Sequence, residues 1–143
     1  MNQLDELLLT GLQFGRLVEK KYNYLEEKYD LRKIDLKILL YLDVSKDSNT
    51  AKCIVDTGLF TKGHVSQSIG RLRQKKMIDT IRDSEDRRCT RLMLMDNARM
   101  IISELKTVDH EIEKMITKGI SDEELETMRR VAGKIINNIN AAI

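Results

Sequence analysis

The sequence has little cysteine and no long apolar run, and each shortage removes a class of protein. Its two cysteines, Cys53 and Cys89, lie far apart and form no C-x-x-C, so neither a disulfide framework nor a zinc site is expected. That use of cysteine fits a reducing, cytoplasmic setting. The longest apolar stretches, Leu7-Leu8-Leu9 and Ile38-Leu39-Leu40-Tyr41-Leu42, fall well short of the roughly 18 residues needed to span a bilayer. The acidic start at Asp5 and Glu6 is unlike a signal peptide. A soluble chain with no membrane partner is therefore expected. The two histidines, His64 and His110, have no carboxylate or cysteine at ligand spacing, so no metal is expected. Glycine-rich phosphate loops, nucleophile elbows and catalytic pairs are also missing. An enzyme is not expected, nor is a cofactor.

What is present suits one domain: 143 residues, of which 41% are apolar, enough for a core without staples. The formal net charge is only +2, but its distribution is uneven. Between Thr61 and Arg91 nine basic residues stand against four acidic ones, a net of +5, while the other 112 residues carry sixteen against nineteen, a net of −3. A mildly acidic body with one basic segment is the electrostatic footprint of a nucleic-acid binder. An ordinary solvated surface is the alternative that charge alone leaves open.

From the start, Leu4, Leu8, Gly11, Gly15, Val18, Tyr22, Leu25 and Tyr29 recur in steps of three and four. This spacing predicts a long helix with a narrow seam. Gly11 and Gly15 each cost about 1 kcal/mol against Ala inside a helix and suit a close neighbouring backbone, so the seam reads as buried, with a second chain as its cover. A short helix follows through Leu36, Leu39, Leu40 and Asp43, and Ser45–Asn49 reads as a loop.

Asn49 or Thr50 can cap a short helix through Ala51, Cys53, Ile54 and Val55, which Gly58 ends. Thr61 can cap another, from Lys62 to about Lys75, with Val65, Ile69 and Leu72 on one face and Lys62, Gly63, Ser66, Gln67, Gly70 and Arg73 turned away. Two short helices about a tight, glycine-containing turn make a helix-turn-helix. Residues 77–82 and 90–95 have strand composition, and the charged stretch Asp83–Cys89 between them reads as a hairpin loop, a wing. The last third returns to helix. Met100, Ile101, Leu105, Val108, Ile112, Met115 and Ile116 keep helical spacing after a cap at Asp96, and Gly119 marks the stop. Ser121 and Glu124 form a capping box before Leu125, Met128, Ala132, Ile135, Ile139 and Ala142. A mainly α (α+β) fold is expected over residues 1–143. A winged helix-turn-helix lobe spans 31–95, flanked by dimerisation helices over 1–30 and 96–143. A bundle within one chain is the alternative.

The order of elements, with Asp83-x-x-Asp86-Arg87-Arg88 followed by Leu92-x-Leu94 and the stretch Val65-Ser66-Gln67-Ser68-Ile69-Gly70-Arg71-Leu72, resembles the MarR family of winged-helix transcriptional regulators over nearly the whole chain. Three positions depart from the family pattern. Ser84 replaces a frequent proline, Met95 a threonine, and Lys76 the glycine that commonly ends the recognition helix, so Lys76 is expected to turn left-handed or to end the helix differently. The resemblance implies a homodimeric, cytoplasmic repressor on an inverted-repeat operator in double-stranded DNA, released by a small-molecule effector. Lys62, His64, Ser66 and Gln67 would then face base edges, and Thr61, Ser68, Arg71 and Arg73 would touch phosphates. In the wing, Asp86 would orient Arg88 into the minor groove, with Arg87 on the backbone. Phe14, Tyr22, Tyr24 and Tyr29 are candidate walls for an effector pocket. Two other readings are a winged-helix module that binds protein, and a redox sensor centred on Cys89, although the thiol-sensing branch of the family carries its cysteine in the first helix.

Overall fold

The computed structural model describes residues 1–45 and 47–143. Lys46, within the loop expected over Ser45–Asn49, lies outside the described residues. The elements run α1 (Gln3–Tyr29), α2 (Lys33–Val44), α3 (Ala51–Asp56), α4 (Lys62–Gln74), β1 (Ile78–Arg82), β2 (Thr90–Leu94), α5 (Asp96–Ile116) and α6 (Asp122–Ala142). This is the expected mainly α chain with a two-stranded antiparallel sheet.

Local chemistry accounts for most boundaries. Asn2 and Asp5 form a capping box ahead of α1, and Ser121 with Glu124 forms one ahead of α6. Thr50 accepts from the Cys53 amide at α3, and Thr61 accepts from the His64 amide at α4, each cap being worth about 1 kcal/mol. Gly58 and Gly119 take positive φ, 75° and 78°, where two helices end. Lys76 does the same at φ 58°, so the position that resembles a glycine site keeps the left-handed turn without the glycine. Asp96 is the first residue of α5 and not its cap.

The chain divides into two compact units, Met1–Asp109 and His110–Ile143, with the boundary inside α5. This grouping differs from the expected lobe of 31–95, because the second half of α1 and the first half of α5 belong to the core of the first unit. That core buries Tyr22, Leu25, Leu36, Ile38, Leu39, Ile54, Val65, Leu72, Ile78, Leu92, Ile101 and Leu105. The strands pair Ile78 with Leu94, Thr80 with Leu92 and Arg82 with Thr90, which turns Ile78 and Leu92 inward as a period of two requires. On α5 the inner positions are Ala98, Ile101, Ile102 and Leu105, and Met100 is exposed. The expectation that Met100 belongs to the apolar stripe is thus corrected: it lies one residue, about 100° of helix, from Ile101.

Tyr22 ties α1 to α5 by donating its phenol to Asp109 Oδ1 at 2.5 Å. Burial first, and then the carboxylate as acceptor, hold the phenol protonated well above its ordinary pKa of 10.0. A raised folded-state pKa means that the tie contributes fully below about pH 10 and is lost as pH climbs through the folded value. Alkaline denaturation curves of the native chain and Tyr22→Phe should therefore converge above about pH 10. A constant gap across that range would place the alkaline loss elsewhere.

In the second unit every residue of α6 is exposed except the half-buried Leu125. Met128, Val131, Ile135, Ile136 and Ile139 present apolar side chains to solvent. The first half of α1 is similar, with Leu4, Leu7, Leu8, Leu9, Leu12 and Phe14 exposed. Nothing among the described residues comes within 4 Å of a Cβ built at Gly11 or Gly15, so the close approach expected there is not made within one chain.

Candidate nucleic-acid interface

Helix α4 packs Val65, Ser68 and Leu72 inward and exposes Lys62, Gly63, His64, Ser66, Gln67, Gly70 and Arg73. The capped, left-handed turn at Gly58 sets the angle from α3. Lys62, His64, Ser66 and Gln67 lie in the first two turns of α4 on its open side, where they meet anything that approaches that helix end. Thr61 is exposed, but its hydroxyl is used by the cap.

Two residues expected on the outer surface are committed inside. Ser68 is fully buried and donates to Asp35 Oδ1 at 2.5 Å. The reading of Ser68 as a phosphate contact is therefore corrected, since a hydroxyl with no exposed surface cannot reach a phosphate. Arg71 sends Nε to Asp35 Oδ2 at 3.1 Å and Nη2 to Oδ1 at 2.9 Å, so its guanidinium faces the core of the lobe. Asp35, which anchors both, was not among the expected site residues. The only signal in the sequence was an acid at the third position of a helix, which reads equally well as part of a cap.

The wing loop from Asp83 to Cys89 is closed by paired amides: Asp83 N–H donates to Cys89 O, and Cys89 N–H to Asp86 O, each at 2.9 Å. Ser84, Glu85, Asp86, Arg87 and Arg88 are all exposed. Asp86 was expected to hold the Arg88 guanidinium. Instead Asp86 Oδ1 accepts from the Arg88 main-chain amide at 3.0 Å, and among the described residues the two side chains form no ion pair. A short carboxylate bonds most readily to the amide two residues on, an Asx turn, so Asp86 shapes the tip and leaves Arg88 free.

The ordered arginine of the wing is Arg91, which composition alone did not single out. Its Nε donates to Asp83 Oδ2 at 3.0 Å, and its Nη1 to Asp47 O and Asn49 Oδ1, each at 2.7 Å. Asn49 is buried, donates to Leu92 O at 3.1 Å and accepts from the Leu92 amide at 2.8 Å. The base of the wing is thereby fastened to the loop before α3. The Glu85 amide and then Arg91 hold the Asp83 carboxyl below its ordinary pKa, burial opposing them.

Of the aromatics expected around a ligand, Phe14 and Tyr22 line a cavity of about 560 Å³ together with Gly11, Gly15, Val18, Lys33 and Lys37, between α1 and α2. Tyr24 and Tyr29 do not. They flank the Lys28 ammonium, 5.6 and 5.4 Å from their ring centres, and that ammonium also pairs with Glu104 at 2.6 Å.

Profiles of known protein families return no match to the chain, but solved structures do match it. A MarR/EmrR family transcriptional regulator from Acinetobacter is similar with a TM-score of 0.80 at 18% identity, over 99% of each chain. A MarR transcriptional regulator from Methanosarcina mazei is similar with a TM-score of 0.77 at 17% identity, over 98% of each. S. aureus MepR, solved as a complex with DNA, is similar with a TM-score of 0.62 at 22% identity, over 89% of this chain and 95% of that one. The chain has the winged helix-turn-helix fold of MarR-type regulators. Among the described residues no helix is long and apolar enough to cross a membrane.

Proposed function

We propose that this chain is a homodimeric transcriptional regulator of the MarR type that reads an inverted-repeat operator in double-stranded DNA, acting as a repressor. The observation that carries the reading is the open face of α4, where Lys62, His64, Ser66 and Gln67 stand clear of the core, together with a wing tip that exposes Arg87 and Arg88. A helix about 10 to 12 Å across fits the major groove. Gln67 pairs bidentately with adenine and Lys62 reaches guanine, while Arg73 and the flank at Thr61 meet phosphates. Arg88 enters the minor groove and Arg87 lies on the backbone. The MepR complex supports this reading as a relative of the same fold caught on DNA.

The second copy covers the exposed apolar faces of α1 and α6. Most helical stability in proteins comes from packing of an apolar face, and α6, with no buried side chain, lacks that packing in a single chain. A small molecule that releases DNA would seat in the open groove between α1 and α2 that Phe14 and Tyr22 line.

Gln67→Ala tests the reading of bases. It should weaken binding to a duplex selected from a random library by about 1 to 3 kcal/mol and leave scrambled duplex nearly unchanged. Equal losses on both would make Gln67 a positioning contact.

A further inference from the structure

The cluster of Asp35, Ser68 and Arg71 is not absorbed by the contact surface. Asp35 is the third residue of α2 and completely buried, and both of its carboxylate oxygens are doubly engaged. Oδ2 accepts from the Arg32 amide at 2.8 Å and from Arg71 Nε at 3.1 Å. Oδ1 accepts from Ser68 Oγ at 2.5 Å and from Arg71 Nη2 at 2.9 Å. Four acceptor sites on one carboxylate are thus filled, one by the amide at its own helix cap and three by Ser68 and Arg71 of α4. Ser68 and Arg71 are three residues apart, one turn, so the carboxylate grips α4 at two heights.

A buried ion pair adds little net stability, because desolvation offsets its attraction, and apolar residues of similar size often serve as well. What it adds is direction. Apolar contacts allow a helix to roll slightly at small cost, whereas hydrogen bonds weaken steeply with angle. A roll of about 15° moves an atom about 6 Å from the helix axis by about 1.5 Å, enough to break a base contact. Ser66 and Gln67 immediately precede Ser68, so the roll that Asp35 sets is the roll that aims them.

We infer that Asp35, through Ser68 and Arg71, is a positioning residue that fixes the roll of α4, so that Arg71 serves specificity without touching DNA. The inference rests on the DNA-binding reading above and deepens it. It separates from a stability role because it alters preference among sequences rather than binding in general.

The experiment uses the full chain, a duplex selected by the native protein from a random library, and a scrambled duplex of equal length, titrated over a salt series with melting followed in parallel. Asp35→Asn, which keeps shape and loses charge, should lower the preference for the selected duplex at least about tenfold, the cost of one misplaced base contact. Affinity for scrambled duplex and the salt slope should stay unchanged. Arg71→Ala should do the same. In a Gln67→Ala background Asp35→Asn should cost much less, since the contact it aims is already gone.

Unchanged preference in folded Asp35→Asn, equal losses on both duplexes, or full additivity with Gln67→Ala would overturn the inference. So would a salt slope lower by about two in Arg71→Ala, one for each protomer, the mark of a direct phosphate contact. If Asp35→Asn does not fold, Ser68→Ala decides: lost preference supports the grip, and intact preference overturns it. Native protein that binds both duplexes equally would instead remove the DNA-reading premise, a failure distinct from any of these.

Discussion

Replacing Ile135 or Ile139 of α6 by Asp is expected to abolish the dimer, and operator binding with it. Both side chains are exposed in a single chain, by 37% and 51%, so the substitution costs little in an isolated protomer. Against a second copy it buries an unpaired carboxylate in an apolar seam, at a cost of several kcal/mol. Light scattering at micromolar concentration should show a dimer for the native chain and a monomer or unfolded protein for either variant. A lone protomer holds one half-site and forfeits the gain of binding two at once, so operator affinity should collapse. Unchanged mass and melting in both variants would put these residues outside the interface.

Removing both wing arginines should have the next largest effect. Arg87→Ala with Arg88→Ala deletes two charge-assisted contacts at about 1.5 to 3 kcal/mol each. Binding should weaken on all duplexes, and the slope of log affinity against log salt should flatten by up to about four units, two for each protomer of the dimer. The fold should be intact, because both side chains are exposed and the hairpin is fastened through Arg91, Asp83 and Asn49. The Asx turn at Asp86 adds a sharper expectation. Asp86→Asn can keep the turn while shedding a negative charge near DNA, so it should bind at least as well as the native chain. Asp86→Ala loses the turn and should bind less well. If Ala and Asn both strengthen binding, charge alone matters at that position.

Local features were legible in the sequence where the physics is local. The cap at Thr61, the capping box of Ser121 and Glu124, and the turn at Gly58 each need only neighbouring residues, and all are present. The outward set Lys62, Ser66, Gln67 and Arg73 followed from helical period, since Val65 and Leu72 fix the inner face. Ser68 was misjudged because a serine reads as polar surface unless its partner is known. That partner, Asp35, is 33 residues away, and no period links the two. Arg91 escaped for the same reason: Asp47 and Asn49, its partners beyond the hairpin, lie 44 and 42 residues upstream. For Asp86 the sequence showed the right pair of residues, but the carboxylate met the amide of Arg88 rather than its guanidinium.

On the proposed function, the basic middle of this chain reads DNA. The most direct test is the affinity of the native protein for its selected duplex and for a scrambled one across a salt series. If the chain reads DNA, log affinity falls linearly with log salt, about 0.9 per phosphate contacted and several units in all, and the selected duplex is bound at least about a thousandfold more tightly. A flat salt dependence with no preference between duplexes would contradict it and would fit a winged helix that binds protein.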